Sequence, residues 1–125
     1  MRVRARVTDR DAAPAPVRAY LSAAPQLTAG AQYEVHAAAV FEGLFLLQIV
    51  DDSQYPSWKP AWLFEVTDRS IPRDWICSLF SDEPSMVIGP DFLARSLDSY
   101  NAMVELDPDQ VANFWQRVAR TSPAG

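Results

Sequence analysis

The stretch 44–50, Leu-Phe-Leu-Leu-Gln-Ile-Val, carries a single polar side chain and does not alternate. A strand that apolar along its whole length needs cover on both faces, so the chain must place a layer on each side of whatever sheet this segment joins. Just before it, Glu42-Gly43 separates the run from residues 32–41, where Tyr33, Val35, Ala37, Ala39 and Phe41 alternate against Gln32, Glu34 and His36. That period of two predicts a half-buried strand with His36 on its polar face. The glycine supplies the backbone freedom for a tight hairpin turn between the two strands. Residues 27–31, Leu-Thr-Ala-Gly-Ala, form the preceding turn, with Gly30 free to take positive φ.

The rest of the chain organises around this hairpin. In residues 1–7, Val3, Ala5 and Val7 fall on one side and Arg2, Arg4 and Arg6 on the other, as in an edge strand whose charges discourage unwanted pairing. Residues 17–22 read as a short helix begun by Pro16, residues 51–56 as a polar loop, and residues 61–66 and 75–80 as further strands. After Gly89-Pro90 the period changes. Residues 91–95 form a helical turn, and residues 99–106 a helix capped by Asp98 with Tyr100, Met103 and Val104 on one face. The clearest helix is 107–120. Asp107 caps it, Pro108 takes the first position and Gln110 completes a box-like arrangement, while Val111, Phe114, Trp115 and Val118 make one apolar stripe. Strands first and helices after predict an α+β fold, a small antiparallel twisted sheet or half-open barrel with a C-terminal helical layer. With 125 residues, 49% of them hydrophobic, the chain makes one domain: an N-terminal strand and linker in 1–26, a β-rich core in 27–89 and C-terminal helices in 90–120.

Eleven basic and sixteen acidic residues leave a net charge of -5. Residues 1–62 hold six of each sign, whereas residues 63–125 hold five arginines against ten carboxylates, so the excess belongs to the C-terminal half. Charge of that sign argues against nucleic acid or an anionic membrane and suits a basic protein partner. The N-terminal residues lack the apolar core of a secretory signal, and the longest apolar stretch is interrupted by His36, Glu42 and Gln48. The chain therefore reads as cytoplasmic and not membrane-spanning.

Catalysis finds little to work with. His36 and Cys77 are the only residues of their kinds, and one of each cannot hold structural zinc. Cys77 lies in the apolar run 75–80, where a buried, inert thiol is expected. A dyad of Cys77 with His36 would need a cation or helix N-terminus beside the thiol, and the local sequence supplies neither. Asp51-Asp52 and Asp82-Glu83 lack the spacing of a calcium loop, and four glycines at 30, 43, 89 and 125 draw no phosphate-binding loop. The expectation is a non-enzyme without metal or cofactor.

Residues 55–64, Tyr-Pro-Ser-Trp-Lys-Pro-Ala-Trp-Leu-Phe, concentrate four aromatics and two prolines. They read as a rigid connection whose rings either close one end of the core or anchor a partner. Leu27-Thr28-Ala29-Gly30-Ala31-Gln32-Tyr33-Glu34-Val35, together with Asp51-Asp52 and Trp62-Leu63-Phe64-Glu65-Val66, resembles small uncharacterised bacterial proteins with a Src-homology-3-like barrel. The resemblance covers residues 27–66, with a weaker echo in 98–115, and implies a small antiparallel barrel of that type. Some proteins of this size and style are immunity partners of bacterial toxins, an association by analogy. The leading expectation is therefore a non-enzymatic interaction protein, in its finer form an immunity protein occluding a basic toxin, with contacts from Asp51, Asp52, Tyr55, Trp58, Trp62, Asp98, Glu105 and Asp109. The alternative is a module that binds a peptide or small ligand in a groove formed by Trp58 and Trp62. An enzyme of unknown type stands third, and a cleft holding both His36 and Cys77 would revive it.

Overall fold

The computed structural model describes residues 1–6, 9–21 and 23–121. Within them the strands are β1 (Arg2–Ala5), β2 (Gln32–Glu34), β3 (Ala37–Phe41), β4 (Leu44–Val50), β5 (Pro56–Pro60), β6 (Phe64–Asp68), β7 (Ile76–Leu79) and β8 (Met86–Gly89). The helices are α1 (Ala15–Tyr20), α2 (Asp91–Ala94), α3 (Leu97–Val104) and α4 (Pro108–Thr121). Two antiparallel sheets result, one in the order β2-β1-β6 and the other β5-β4-β3-β8-β7. The fold is α+β with a helical C-terminal layer, and neither sheet closes into a barrel.

The hairpin forms as its sequence dictates. Glu42 and Gly43 take φ of 50° and 77°, and Phe41 faces Leu44 across the turn. Two positive φ values in a two-residue loop match the twist of the flanking strands. Strand β4 lies between β3 and β5, and its residues Leu46, Leu47, Gln48 and Ile49 are buried. Residues 32–41, however, are not one strand. Val35 N–H donates to the carbonyl of Met1, whereas His36 N–H donates to that of Gln48, so the chain changes sheets between these two residues. His36 consequently leaves the polar face expected of it, and its ring packs edge-on to Phe114 with centroids 4.9 Å apart.

Strand β1 keeps its alternation, with Val3 and Ala5 buried and Arg2 and Arg4 exposed. It is the central strand of its sheet and not an edge. The arginines answer carboxylates directly across: Arg2 faces Glu34, and Arg4 faces Glu65. Such opposite-charge pairs support a solvated sheet face. Val7 and Ser22, the last residues of two expected elements, lie outside the described residues.

The aromatic and proline-rich segment, expected as a rigid connection, is regular structure. It forms β5, and the expected strand 61–66 begins with a 3-10 turn, Ala61–Leu63, before β6. Because β5 ends its sheet, Pro56 and Pro60 are tolerated there, where a missing N–H breaks no inner ladder.

The core is split by the five-stranded sheet. On one face Ala37, Ala39, Leu46, Trp58 and Val87 meet the helical residues Leu93, Ala94, Tyr100, Met103 and Phe114. On the other, Ala38, Leu47 and Ile49 meet Val3 and Phe64 of the smaller sheet, Val35 and Leu63 from the segments leading into and out of it, and Val17 of α1. This is the two-sided cover that β4 demands. At Gly89 an added Cβ would lie 2.8 Å from the Ala37 side chain, so only glycine admits the approach of β8 to β3.

Helix α3 is capped by Ser96, whose Oγ accepts from Ser99 N–H at 3.1 Å. Asp98 is therefore in the first turn and is not the cap, and Val104 is exposed instead of packed. Helix α4 starts where expected, but Gln110 turns inward. Its Nε2 donates to the carbonyls of Phe92 and Ser99, both at 3.0 Å, tying α4 to α2 and α3. Phe114 is the most deeply buried member of the apolar stripe, and Trp115 remains 39% exposed.

Candidate functional site

The residues singled out by sequence do not form one surface. Asp51 is buried and accepts from Ser53 and Ser57, and Lys59 Nζ lies 3.1 Å from its Oδ2. Burial opposes its charge. The hydrogen bonds from Ser53, Lys59 and Ser57 and the lysine charge outweigh that and hold the carboxyl below the usual range. Asp51 thus braces the β4–β5 connection. Asp52 is exposed and accepts from Tyr33 Oη and Thr28 Oγ1, each at 2.7 Å. Tyr55 is 60% exposed. Trp58 is buried with its ring 5.1 Å from that of Tyr100, on the helical side of the large sheet. Trp62 is half-buried in the opposite cluster, under the guanidinium of Arg6 at 5.2 Å. The two tryptophans therefore share no groove. Asp98, Glu105 and Asp109 are exposed on the helical layer, and no described basic group pairs with them.

Cys77 is exposed on β7, contrary to its expected burial. His36 opens into a cleft that Cys77 does not line, and its pKa falls to about 4 through burial and then the charge of Arg117. The two give no nucleophile and base pair. No group of three or more His, Cys, Asp or Glu suited to a metal ion occurs among the described residues.

The register reveals a surface that sequence reasoning missed. Ala38 pairs with Leu47 and Ile88, and Ile88 with Cys77; one step along, Val40 pairs with Phe45 and Met86, and Met86 with Leu79. Directly opposed residues share a face, so these residues make two apolar rows across four strands on the side away from the C-terminal helices. The small sheet covers the rows at Leu47 and Ala38 and stops there. Beyond it, Phe45 is 45% and Leu79 77% exposed. Val66, opposite Val3 in β6, and Ile71 in the following loop overhang this bare area and are also exposed. Between overhang and sheet lies an apolar cleft of about 280 Å³, walled by Phe45, Val66, Ile71, Trp75 and Ile88.

Two further features attend this face. Strand β7 ends the sheet with Ile-Cys-Ser-Leu, which has neither proline nor charge to discourage strand addition, whereas the other edge, β5, carries two prolines. Near the hairpin ends stand Glu42, Asp82 and Glu83. Glu83 Oε2 accepts from Glu42 N–H at 2.8 Å, and no described basic group pairs with any of the three carboxylates. The apolar alternation of Cys77 with Leu79 and of Met86 with Ile88 is visible in the sequence, but which face it joins depends on pairing with β3.

Among the described residues no helix is long and apolar enough to cross a membrane. No protein-family profile, curated protein or solved structure matches the chain.

Proposed function

We propose that the protein is a non-enzymatic interaction domain that docks a protein partner on the part of its five-stranded sheet that the small sheet leaves uncovered. The observation that carries this reading is the contiguous apolar row of Phe45, Val40, Met86 and Leu79, half-buried at its centre and exposed at Phe45 and Leu79, beside the 280 Å³ cleft. Contiguous apolar surface with a pocket for one side chain is the usual anatomy of a binding centre. The unprotected β7 edge offers backbone groups to an extended partner segment, adding direction to an otherwise non-directional contact.

A basic partner fits best. Glu42, Asp82 and Glu83 at the rim and the net charge of -5 favour its approach and raise its association rate. This supports the finer proposal of an immunity protein that occludes a basic toxin, in keeping with the resemblance of residues 27–66 to small bacterial proteins of Src-homology-3-like type. In that reading the exposed carboxylates of Asp98, Glu105 and Asp109 steer from the helical side without contributing to the desolvated centre.

The sole cysteine, Cys77, lies within the proposed face and serves as the probe. The protein labelled there with a photoreactive maleimide is irradiated in lysate of its native host, beside a Leu79→Asp variant labelled in the same way. The expected result is one basic protein crosslinked in stoichiometric yield to the parent and lost from the variant. An identical crosslinking pattern for the two proteins would overturn the reading.

A further inference from the structure

A second cleft, of about 630 Å³, opens where the end of α4 meets the β2–β3 junction and the loop before β7. For a chain of net charge -5 its lining is rich in arginine: Arg2 from β1, Arg73 from the loop and Arg117 from α4. Two carboxylates answer them. Glu34 accepts from Arg2 Nε at 3.2 Å, and Asp74 accepts from both terminal nitrogens of Arg117. Arg73 is exposed, and no described carboxylate pairs with it. Arg117 is only 12% exposed, and Asp74 engages two of its five N–H donors; the others have no acceptor among the described residues.

Apart from Thr121 and His36, the remaining walls are apolar, formed by Val35, Pro72, Trp75 and Val118. His36 lines the same cleft with a ring that is neutral at pH 7, held so by burial and by the positive charges of Arg117 and the N-terminal ammonium. Asp74 itself is 61% exposed, yet its carboxylate already occupies the fork of Arg117. It shows the geometry in which this guanidinium holds an oxyanion.

We propose that this cleft binds an amphiphilic oxyanion, a carboxylate or phosphate monoester on an apolar body. Arg73 and the spare donors of Arg117 take its oxygens, and Trp75 and Val118 pack against its body. The two clefts share Trp75 as a wall but no other lining residue, so Arg73→Gln here and Leu79→Asp on the sheet face test the two assignments independently.

The test is calorimetric titration of the intact protein with phenyl phosphate, phenylacetate and inorganic phosphate, with the Trp75 indole N–H followed by NMR. At least one organic anion is expected to bind with millimolar or tighter affinity and to shift the Trp75 signal, and inorganic phosphate to bind more weakly. The preferred organic anion distinguishes a phosphate from a carboxylate ligand. Arg73→Gln, which removes an exposed and unpaired side chain and so leaves the fold intact, should weaken binding about tenfold. Asp74→Asn, which removes the competing carboxylate, should strengthen it. Absence of binding by both organic anions, unchanged affinity in Arg73→Gln, or equal affinity for inorganic phosphate would overturn the proposal.

Discussion

Lys59 Nζ sits 3.1 Å from Asp51 Oδ2, with the two side chains only 12% and 5% exposed. The pair joins the end of β4 to β5, and the hydroxyls of Ser53 and Ser57 complete the coordination of the carboxylate. An ion pair this sheltered is fragile to the loss of one partner, because the survivor keeps its desolvation cost without its compensation.

Asp51→Ala should therefore destabilise the fold by about 3 kcal/mol. Since the folded carboxyl is held below its unfolded value, its contribution is present above the unfolded pKa near 4 and disappears as pH falls through the lower folded value. Urea unfolding of the parent and of Asp51→Ala across this range tests it: the gap between them should narrow on acidification.

His36 acts in a different window. Its folded pKa of about 4 lies below the ordinary 6.5, so the unfolded chain takes up the proton first. Stability from this group is complete above pH 6.5 and declines as pH falls from there toward 4, by up to about 3 kcal/mol. Replacing the histidine by glutamine should remove that slope between pH 6.5 and 4 while leaving the steeper carboxylate-driven loss at lower pH. Denaturation midpoints measured every half unit would reveal a slope that persists, which contradicts the assignment.

Trp58 belongs to the core, so Trp58→Ala should cost about 4 kcal/mol in stability. A double-mutant cycle with Tyr100→Leu should return a coupling of about 1 kcal/mol from the ring contact. A Trp58→Ala protein of unchanged thermal stability would mean that this ring is not packed as the 5.1 Å contact with Tyr100 requires.

Gln48 is 1% exposed, and neither its Oε1 nor its Nε2 has a hydrogen-bond partner. A buried amide without partners is a net cost, whereas methionine fills similar volume without polar atoms. Gln48→Met should raise stability by about 1 kcal/mol. Its unfolding midpoint in urea, compared with that of the parent at one pH, decides the sign.

Much of the fold was legible because its causes are local. The Glu42-Gly43 turn, the alternation of Val3 and Ala5 with Arg2 and Arg4, and the cap and Pro108 of α4 all rest on neighbours within a few residues. The candidate surface was not legible for the opposite reason. Trp58 and Trp62 stand four residues apart among prolines and resemble one aromatic patch, yet the strand and the 3-10 turn send them into opposite clusters. Asp51 and Asp52 look alike in sequence, but one is enclosed with Lys59 while the other faces solvent.

By itself the sequence determined an α+β chain with a two-sided central strand at 44–50, a tight hairpin before it and an amphipathic helix after residue 107. These follow from side-chain period, turn chemistry and capping, which act over short stretches of chain. Only the tertiary structure decided that residues 32–41 divide between two sheets, since that break depends on partners as distant as Met1 and Gln48. It alone also left Cys77 and Leu79 exposed: an apolar strand is buried when strands and layers flank it, and β7 is the last strand of its sheet, beyond the reach of the smaller one.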